Sequence, residues 1–202
     1  MELRLLPLPK QINMGNGSYA LPSTGQIIIQ TETAAEQLYT AKRLQTALKT
    51  HANADYDIAA GPFDEAIVLT IDEETQPEQG YELVIADDGV TVIGGDASGL
   101  FYGVLTLIQL REPQGATLPQ LSILDEPDFP ARGVMLDISR DKVPSMETLY
   151  DLIDMLASWK INEVQLYTEH TFAYRNHRKV WEKASPITAE EVLLLDAYCQ
   201  ER

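Results

Sequence analysis

Apolar positions along the chain fall into short blocks, and the spacing within each block predicts an element. "QIIIQ", Gln26 to Gln30, sets three β-branched residues between glutamines and predicts a strand. Thr33-x-x-Glu36 follows as a capping box. Ala34, Leu38, Ala41, Leu44 and Leu48 then recur at helical spacing, which predicts an amphipathic helix to about Thr50. "AIVLTI", Ala66 to Ile71, predicts the next strand. "YELVIADDGVTVIGG" has two β-rich arms around Asp87-Asp88-Gly89 and predicts a hairpin. Asp96 is placed to cap a second helix with Leu100, Val104, Leu107 and Ile108 on its buried face. Gly99 and Gly103 lie on that helix and leave room for a close neighbour. Leu118 to Leu124 predicts a last strand. The order predicts an α+β domain over residues 1–126, one sheet with two helices.

The pattern then breaks. "DEPDFPAR", Asp125 to Arg132, has two prolines, three acids and no periodicity, and reads as a linker. Beyond it, Arg132 to Ile138 predicts a continuous apolar strand of the kind buried on both faces in parallel sheets. Ser145 caps a helix carrying Leu149, Leu152, Ile153 and Leu156, Ile161 to Tyr167 predicts a strand, and Thr188-x-x-Glu191 caps a final helix through Leu195. Residues 127–202 thus read βαβα, at the spacing of about 30 residues that a parallel βα repeat uses. A closed eight-unit barrel needs ~200 or more residues. Two units cannot close, so the expectation is an incomplete barrel with an uncovered strand edge that favours self-association.

Charge narrows the partners. The net charge is −16, from 31 acidic and 15 basic residues. That balance argues against nucleic acid and anionic membrane as partners, since both select a basic footprint. A neutral ligand such as a sugar fits better. The single cysteine, Cys199, can form neither an internal disulfide nor a zinc site, which points to a reducing, cytoplasmic location. "MELRLLPLPK" offers no signal-peptide core, and no run reaches the ~20 apolar residues of a membrane helix.

Candidate chemistry gathers in the second region. In a parallel βα unit the strand's C-terminal end faces the site. Asp137, Ser139, Arg140 and Asp141 close the first strand, so they belong at the mouth, with Asp137 and Arg140 as supporting ion-pair partners. Tyr167, Glu169 and His170 close the second strand and are candidates to face a substrate. His170 and His177 are seven apart, which lacks the HxxxH spacing of a zinc helix, so no metal or other cofactor is expected. "GGDASG" (Gly94 to Gly99) lacks both the dinucleotide and the P-loop spacing and reads as a structural turn. The pairs Asp64-Glu65, Asp72-Glu73, Asp87-Asp88 and Asp125-Glu126 fall in turns or the linker and read as solvated carboxylates.

Two segments carry a resemblance. "LLPLPK" with "YELVIADDGVTVIGGDASGLFYGVLTLIQL" resembles the small α+β domain that precedes the barrel in glycoside hydrolase family 20, the β-N-acetylhexosaminidases. "ILDEPDFPARGVMLDISRDKVPSMETLYDLIDMLASWKIN" resembles that family's entry into its barrel. The resemblance implies a zincin-like N-terminal domain followed by the first units of a TIM (β/α)8 barrel. It implies retaining, substrate-assisted hydrolysis of terminal N-acetylhexosamine, in which the substrate's acetamido oxygen is the nucleophile. It implies no cofactor. The family's catalytic Asp-Glu pair ends the fourth barrel strand, so the resemblance assigns no catalytic residue here and implies that this chain alone is inactive. It carries over Arg132 as a residue that hydrogen-bonds ring hydroxyls, and aligns Glu169 with an acidic residue after the second strand; Glu169 and, by its position, His170 are the expected substrate-binding residues there. Rival readings are another barrel glycosidase, of the α-glucuronidase or family 84 type, and a non-catalytic carbohydrate- or protein-binding module.

Overall fold

The three isoleucines of "QIIIQ" are all buried, Ile27 and Ile28 completely, because their strand has a parallel neighbour on each side. The computed structural model describes residues 3–61, 67–111 and 116–202. The chain divides into two units, Met1–Pro130 and Ala131–Arg202, and the division falls within the predicted linker.

In the first unit β1 (Gln11–Ala20), β2 (Thr24–Gln30), α1 (Leu38–Ala52), β3 (Asp55–Ala60), β4 (Ile67–Ile71), β5 (Tyr81–Ala86), β6 (Gly89–Gly94), α2 (Ala97–Arg111) and β7 (Thr117–Asp125) follow in order. The strands form a seven-stranded mixed sheet, β1-β7-β5-β6-β4-β2-β3. β3, β2, β4 and β6 are mutually parallel, and β5, β7 and β1 extend the sheet antiparallel. The two helices pack on each other and against the sheet. α2 is apolar on nearly every side, and Leu100, Phe101, Tyr102, Val104, Leu105, Leu107 and Leu110 are all buried because it lies against both α1 and the strands. Asp96 caps it as expected, accepting from the Gly99 amide at 2.7 Å. The two helix glycines have the predicted reason. A Cβ on Gly99 would sit 2.0 Å from the Gly80 carbonyl oxygen, and one on Gly103 would sit 2.5 Å from Val92 Cγ1.

Three expectations for this unit are corrected. Thr33 makes no side-chain cap, and Ala34–Gln37 form a 3₁₀ turn before α1 begins at Leu38. That tighter turn shifts the helical phase. Leu38 is therefore left 40% exposed, while Ala41, Leu44, Ala47 and Leu48 form the buried stripe. β1 and β3 are both edge strands beyond the predicted set. β1, "QINMGNGSYA", is exposed along most of its length and slips register between Met14 and Ser18, so no period-two apolar signal marks it. Ala66, the predicted start of β4, lies outside the described residues.

The second unit contains β8 (Gly133–Asp137), α3 (Met146–Ser158), β9 (Glu163–Tyr167), the short α4 (Arg178–Trp181) and α5 (Ala189–Gln200). β8 and β9 are parallel and in register from Gly133↔Glu163 to Asp137↔Tyr167. Ser145 caps α3 by accepting from the Thr148 amide, and Thr188 with Glu191 forms the complete capping box of α5. Ile138, Leu149, Ile153, Ile187 and Leu195 form the core, with Leu136, Val164 and Leu166 packed on it. The expected burial of the first strand on both faces is not found. Side chains alternate along a strand. Leu136, Val164 and Leu166 turn to the core, whereas Met135 is 67% exposed and Gln165 and Tyr167 are also exposed. Among the described residues β8 has one strand neighbour and packs its inner side chains on one apolar cluster, so its other face stays open. No described helix is long and apolar enough to cross a membrane.

Candidate sugar-binding site

The open face ends at a polar cluster. Because β8 and β9 are parallel and in register, Asp137 and Tyr167 stand side by side at their C-terminal ends. The chain leaves β8 through a short turn in which Asp137 Oδ1 accepts from the Ser139 amide at 2.8 Å. That turn aims Arg140 back across the strand ends. Its guanidinium pairs with Asp137 Oδ2 and, at 2.9 Å, with Glu169 Oε1. The same Glu169 oxygen accepts from the Tyr167 hydroxyl at 2.9 Å, and the guanidinium lies 5.3 Å from the centre of the Tyr167 ring.

Ser139 fixes the two loops to each other. It is buried, accepts from the Glu169 amide at 2.6 Å and donates to the Tyr167 carbonyl oxygen at 3.3 Å. Asp137 is held below the usual carboxylate range, first by the Ser139 amide and then by Arg140. Arg140 is raised in turn, chiefly by Asp137. The cluster therefore holds one fixed cation between two anions on an exposed rim. A sugar hydroxyl both donates and accepts, and this arrangement offers both partners, carboxylate oxygens and guanidinium N–H groups.

The structure does not bring all the predicted residues together. Arg132 precedes β8, at the opposite end of the pair from Arg140 and Glu169. Its Nε donates to the Lys160 carbonyl oxygen at 2.8 Å, and its backbone amide donates to Asn162 Oδ1 at 2.8 Å. These bonds tie the start of β8 to the turn before β9. Arg132 thus stands at the opposite end of the strand pair from Arg140 and Glu169, because parallel strands in register start together and end together. His170 is exposed beside Glu169 and joins none of the cluster's bonds. Asp141 turns the loop at a left-handed φ of 57°. Sequence reasoning placed Ser139 at the mouth but missed its latching role; the Asp-x-Ser spacing after a strand is the signal for such a turn.

Elsewhere several of the acids singled out in the sequence have local partners. Asp96 Oδ2 accepts from the Gln79 amide, so "GGDASG" joins a helix start to a loop. Asp72 accepts from the Glu74 and Thr75 amides, and Asp125 from Tyr81 and the Lys10 amide. Asp64-Glu65 lies outside the described residues. Among the described residues no three His, Cys, Asp or Glu side chains gather to hold a metal ion.

The family model described as glycosyl hydrolase family 20, domain 2, matches residues 2–126. The chain belongs to glycosyl hydrolase family 20. A β-hexosaminidase of Porphyromonas gingivalis is 30% identical over 197 residues, which is 92% of this chain and 25% of that protein. A β-hexosaminidase of Vibrio furnissii is 32% identical over 165 residues, 79% of this chain and again 25% of the relative. The chain therefore spans about a quarter of the length of these family 20 relatives. Among solved structures, a family 20 β-N-acetylglucosaminidase matches with a TM-score of 0.76 and 28% identity, over 98% of this chain and 40% of that one. The Streptomyces plicatus N-acetyl-β-hexosaminidase shares the fold with a TM-score of 0.84 at 21% identity, covering 98% of this chain and 44% of its own. Both matches run across the family 20 domain 2 region and the βα region alike.

Proposed function

We propose that the parent protein is an exo-acting β-N-acetylhexosaminidase, and that residues 131–202 are the first two βα units of its catalytic (β/α)8 barrel. The observation that carries this reading is the Asp137–Arg140–Glu169 cluster at the C-terminal ends of two in-register parallel strands, the rim on which barrel enzymes build their sites. Support comes from the family 20 relatives, whose names are those of hexosaminidases. In this reading Arg140 and Glu169 hold hydroxyls of the terminal sugar, Asp137 holds Arg140, and Ser139 holds Glu169. Arg132 supports the barrel's other rim. Hydrolysis would be retaining and substrate-assisted, with the acid and its partner aspartate supplied by later strands. No Asp-Glu pair occurs in residues 127–202, so the 202-residue chain binds without turning over.

The test has two parts. Incubated with an aryl N-acetylglucosaminide, this chain releases no aryl alcohol; steady turnover would overturn its assignment as inactive. Titrated with N-acetylglucosamine, it shows NMR shift changes at residues 137–140 and 167–169 that Arg140→Ala removes and Arg132→Lys keeps. Shift changes that survive Arg140→Ala would move the sugar elsewhere.

A further inference from the structure

We propose that the loop from Tyr174 to Lys183 gives this site a preference for acidic carbohydrate: a terminal N-acetylhexosamine attached to a sugar bearing a carboxylate or a sulfate. The inference rests on the sugar-site reading above and adds the chemistry of the group beyond the terminal sugar.

The chain carries a net charge of −16, yet "YRNHRKVWEK" holds four of its 15 Lys and Arg residues against a single acid. That acid is already engaged, since Glu182 lies 3.8 Å from Arg178. Arg175, Lys179 and Lys183 are exposed and make no ion pair among the described residues, whereas Lys10, Lys49, Arg140 and Arg202 each have a carboxylate partner. Lys142, on the loop leaving β8, is likewise exposed and unpaired. Lys179 and Lys183 are four apart, across α4 and the turn after it. Like charges at that spacing repel and destabilise an isolated helical turn, and a bound anion would relieve the repulsion.

The loop is held in a defined form. Phe172 bridges to Ile187 in parallel, the Ile187 amide donates to the Thr171 carbonyl at 2.9 Å, and the Ala173 amide donates to the Ile187 carbonyl at 3.0 Å. Inside this base, Trp181 Nε1 donates to the Tyr174 carbonyl at 2.8 Å, and the Phe172 and Tyr174 rings meet edge to face at 4.9 Å. The basic side chains are thus displayed from a fixed platform on the same β9 connection that carries Glu169. Two other anionic partners fit less well. A long polyanion such as nucleic acid, or an anionic bilayer, would bring many charges against a chain of net charge −16, whereas one or two charges on a short glycan meet only the local excess.

The experiment titrates the 202-residue chain at low ionic strength with three disaccharides that share a non-reducing N-acetylglucosamine. One has a neutral second sugar, one a uronic acid and one a sulfated sugar. Either acidic ligand is expected to bind about fivefold tighter than the neutral one, the sum of a few exposed charge contacts. The advantage disappears in high salt and in the variant Arg175→Gln/Lys179→Gln/Lys183→Gln, while the neutral affinity stays the same. A gain from only one acidic ligand supports the proposal and names the anion. Equal affinity for all three, or a gain that survives the triple substitution, overturns it. If acidic ligands shift residues 174–183 but no ligand shifts residues 137–169, the sugar-site reading fails and the basic loop stands as an independent anion site. No binding of any ligand sinks both.

Discussion

Tyr81 and Tyr167 are both strand tyrosines with hydrogen-bonded hydroxyls, one in each unit, and almost nothing else about them agrees. Tyr81 is 1% exposed; its hydroxyl meets Thr106 Oγ1 at 2.8 Å and donates to Asp125 Oδ2 at 3.1 Å. Burial, with the Asp125 charge beside it, pushes its phenol far above the ordinary range. Tyr167 is 39% exposed, and its hydroxyl helps hold a carboxylate on an open rim. In the first unit polar groups are enclosed and serve to join β5, α2 and β7. In the second, the Tyr167 hydroxyl and its partners Arg140 and Glu169 are displayed. The first unit is a layered domain with a covered sheet face, and the second is a strand pair with one covered face and one open one. The lesson is that the same residue type, in the same element, serves packing where the sheet face is covered and stays on display where it is not.

The sharpest way to test that contrast is to remove apolar side chains from each sheet. Leu83, fully buried on β5, should cost about 2–5 kcal/mol on substitution with alanine, the loss of its transfer energy plus a cavity. Met135, on the open face of β8, should cost less than about 0.5 kcal/mol by the same change, as surface substitutions usually do. Native-state hydrogen exchange, read separately over β5–β6 and β8–β9, measures both. Similar losses would mean that the open face is covered in solution.

A smaller effect separates the two tyrosines. Tyr81→Phe removes a buried hydroxyl and leaves Thr106 and Asp125 each short of a partner, which should cost about 1–3 kcal/mol. Tyr167→Phe should leave stability within about 0.5 kcal/mol, because water replaces the lost bond on an exposed rim. Urea unfolding followed by circular dichroism gives both values. A larger loss at Tyr167 than at Tyr81 would reverse the assignment of packing and display.

What was legible in the sequence follows the same division. Elements whose side chains report burial directly could be read: "QIIIQ", the hairpin around Asp87-Asp88-Gly89, the apolar α2, and the capped helices α3 and α5. The edge strand β1 could not, because its ladder to β7 is made by backbone groups that leave no mark on side-chain periodicity. The α1 start was misread because a Thr-x-x-Glu spacing fits a capping box and a 3₁₀ turn alike, and only the backbone decides. The strand-end rule singled out Asp137, Arg140 and Glu169, which the structure brings into one ion-paired cluster. A motif match favoured Arg132, yet counting residues along the strand already put it at the opposite rim from Arg140 and Glu169.

The weakest predicted effect is the most specific to the rim. Asp137 is held below its ordinary pKa in the folded chain, by the Ser139 amide first and Arg140 second. A carboxyl lowered on folding contributes stability at pH above its unfolded value of about 3.9, and that contribution is lost as pH falls through the folded value. Below that window Asp137 is protonated in both states and no longer holds Arg140. Hydrogen-exchange protection at the ends of β8 and β9 should therefore fall between mildly acidic pH and pH values under the ordinary carboxylate range. The hairpin β5–β6, whose paired residues are largely apolar, should lose less over the same interval. Asp137→Asn should flatten this local pH dependence without changing that of the first unit, since Asn keeps a carbonyl oxygen for the Ser139 amide but carries no charge for Arg140. An unchanged pH profile in Asp137→Asn would mean that the rim is held by Ser139 and Glu169 alone, with the Asp137–Arg140 pair contributing nothing measurable.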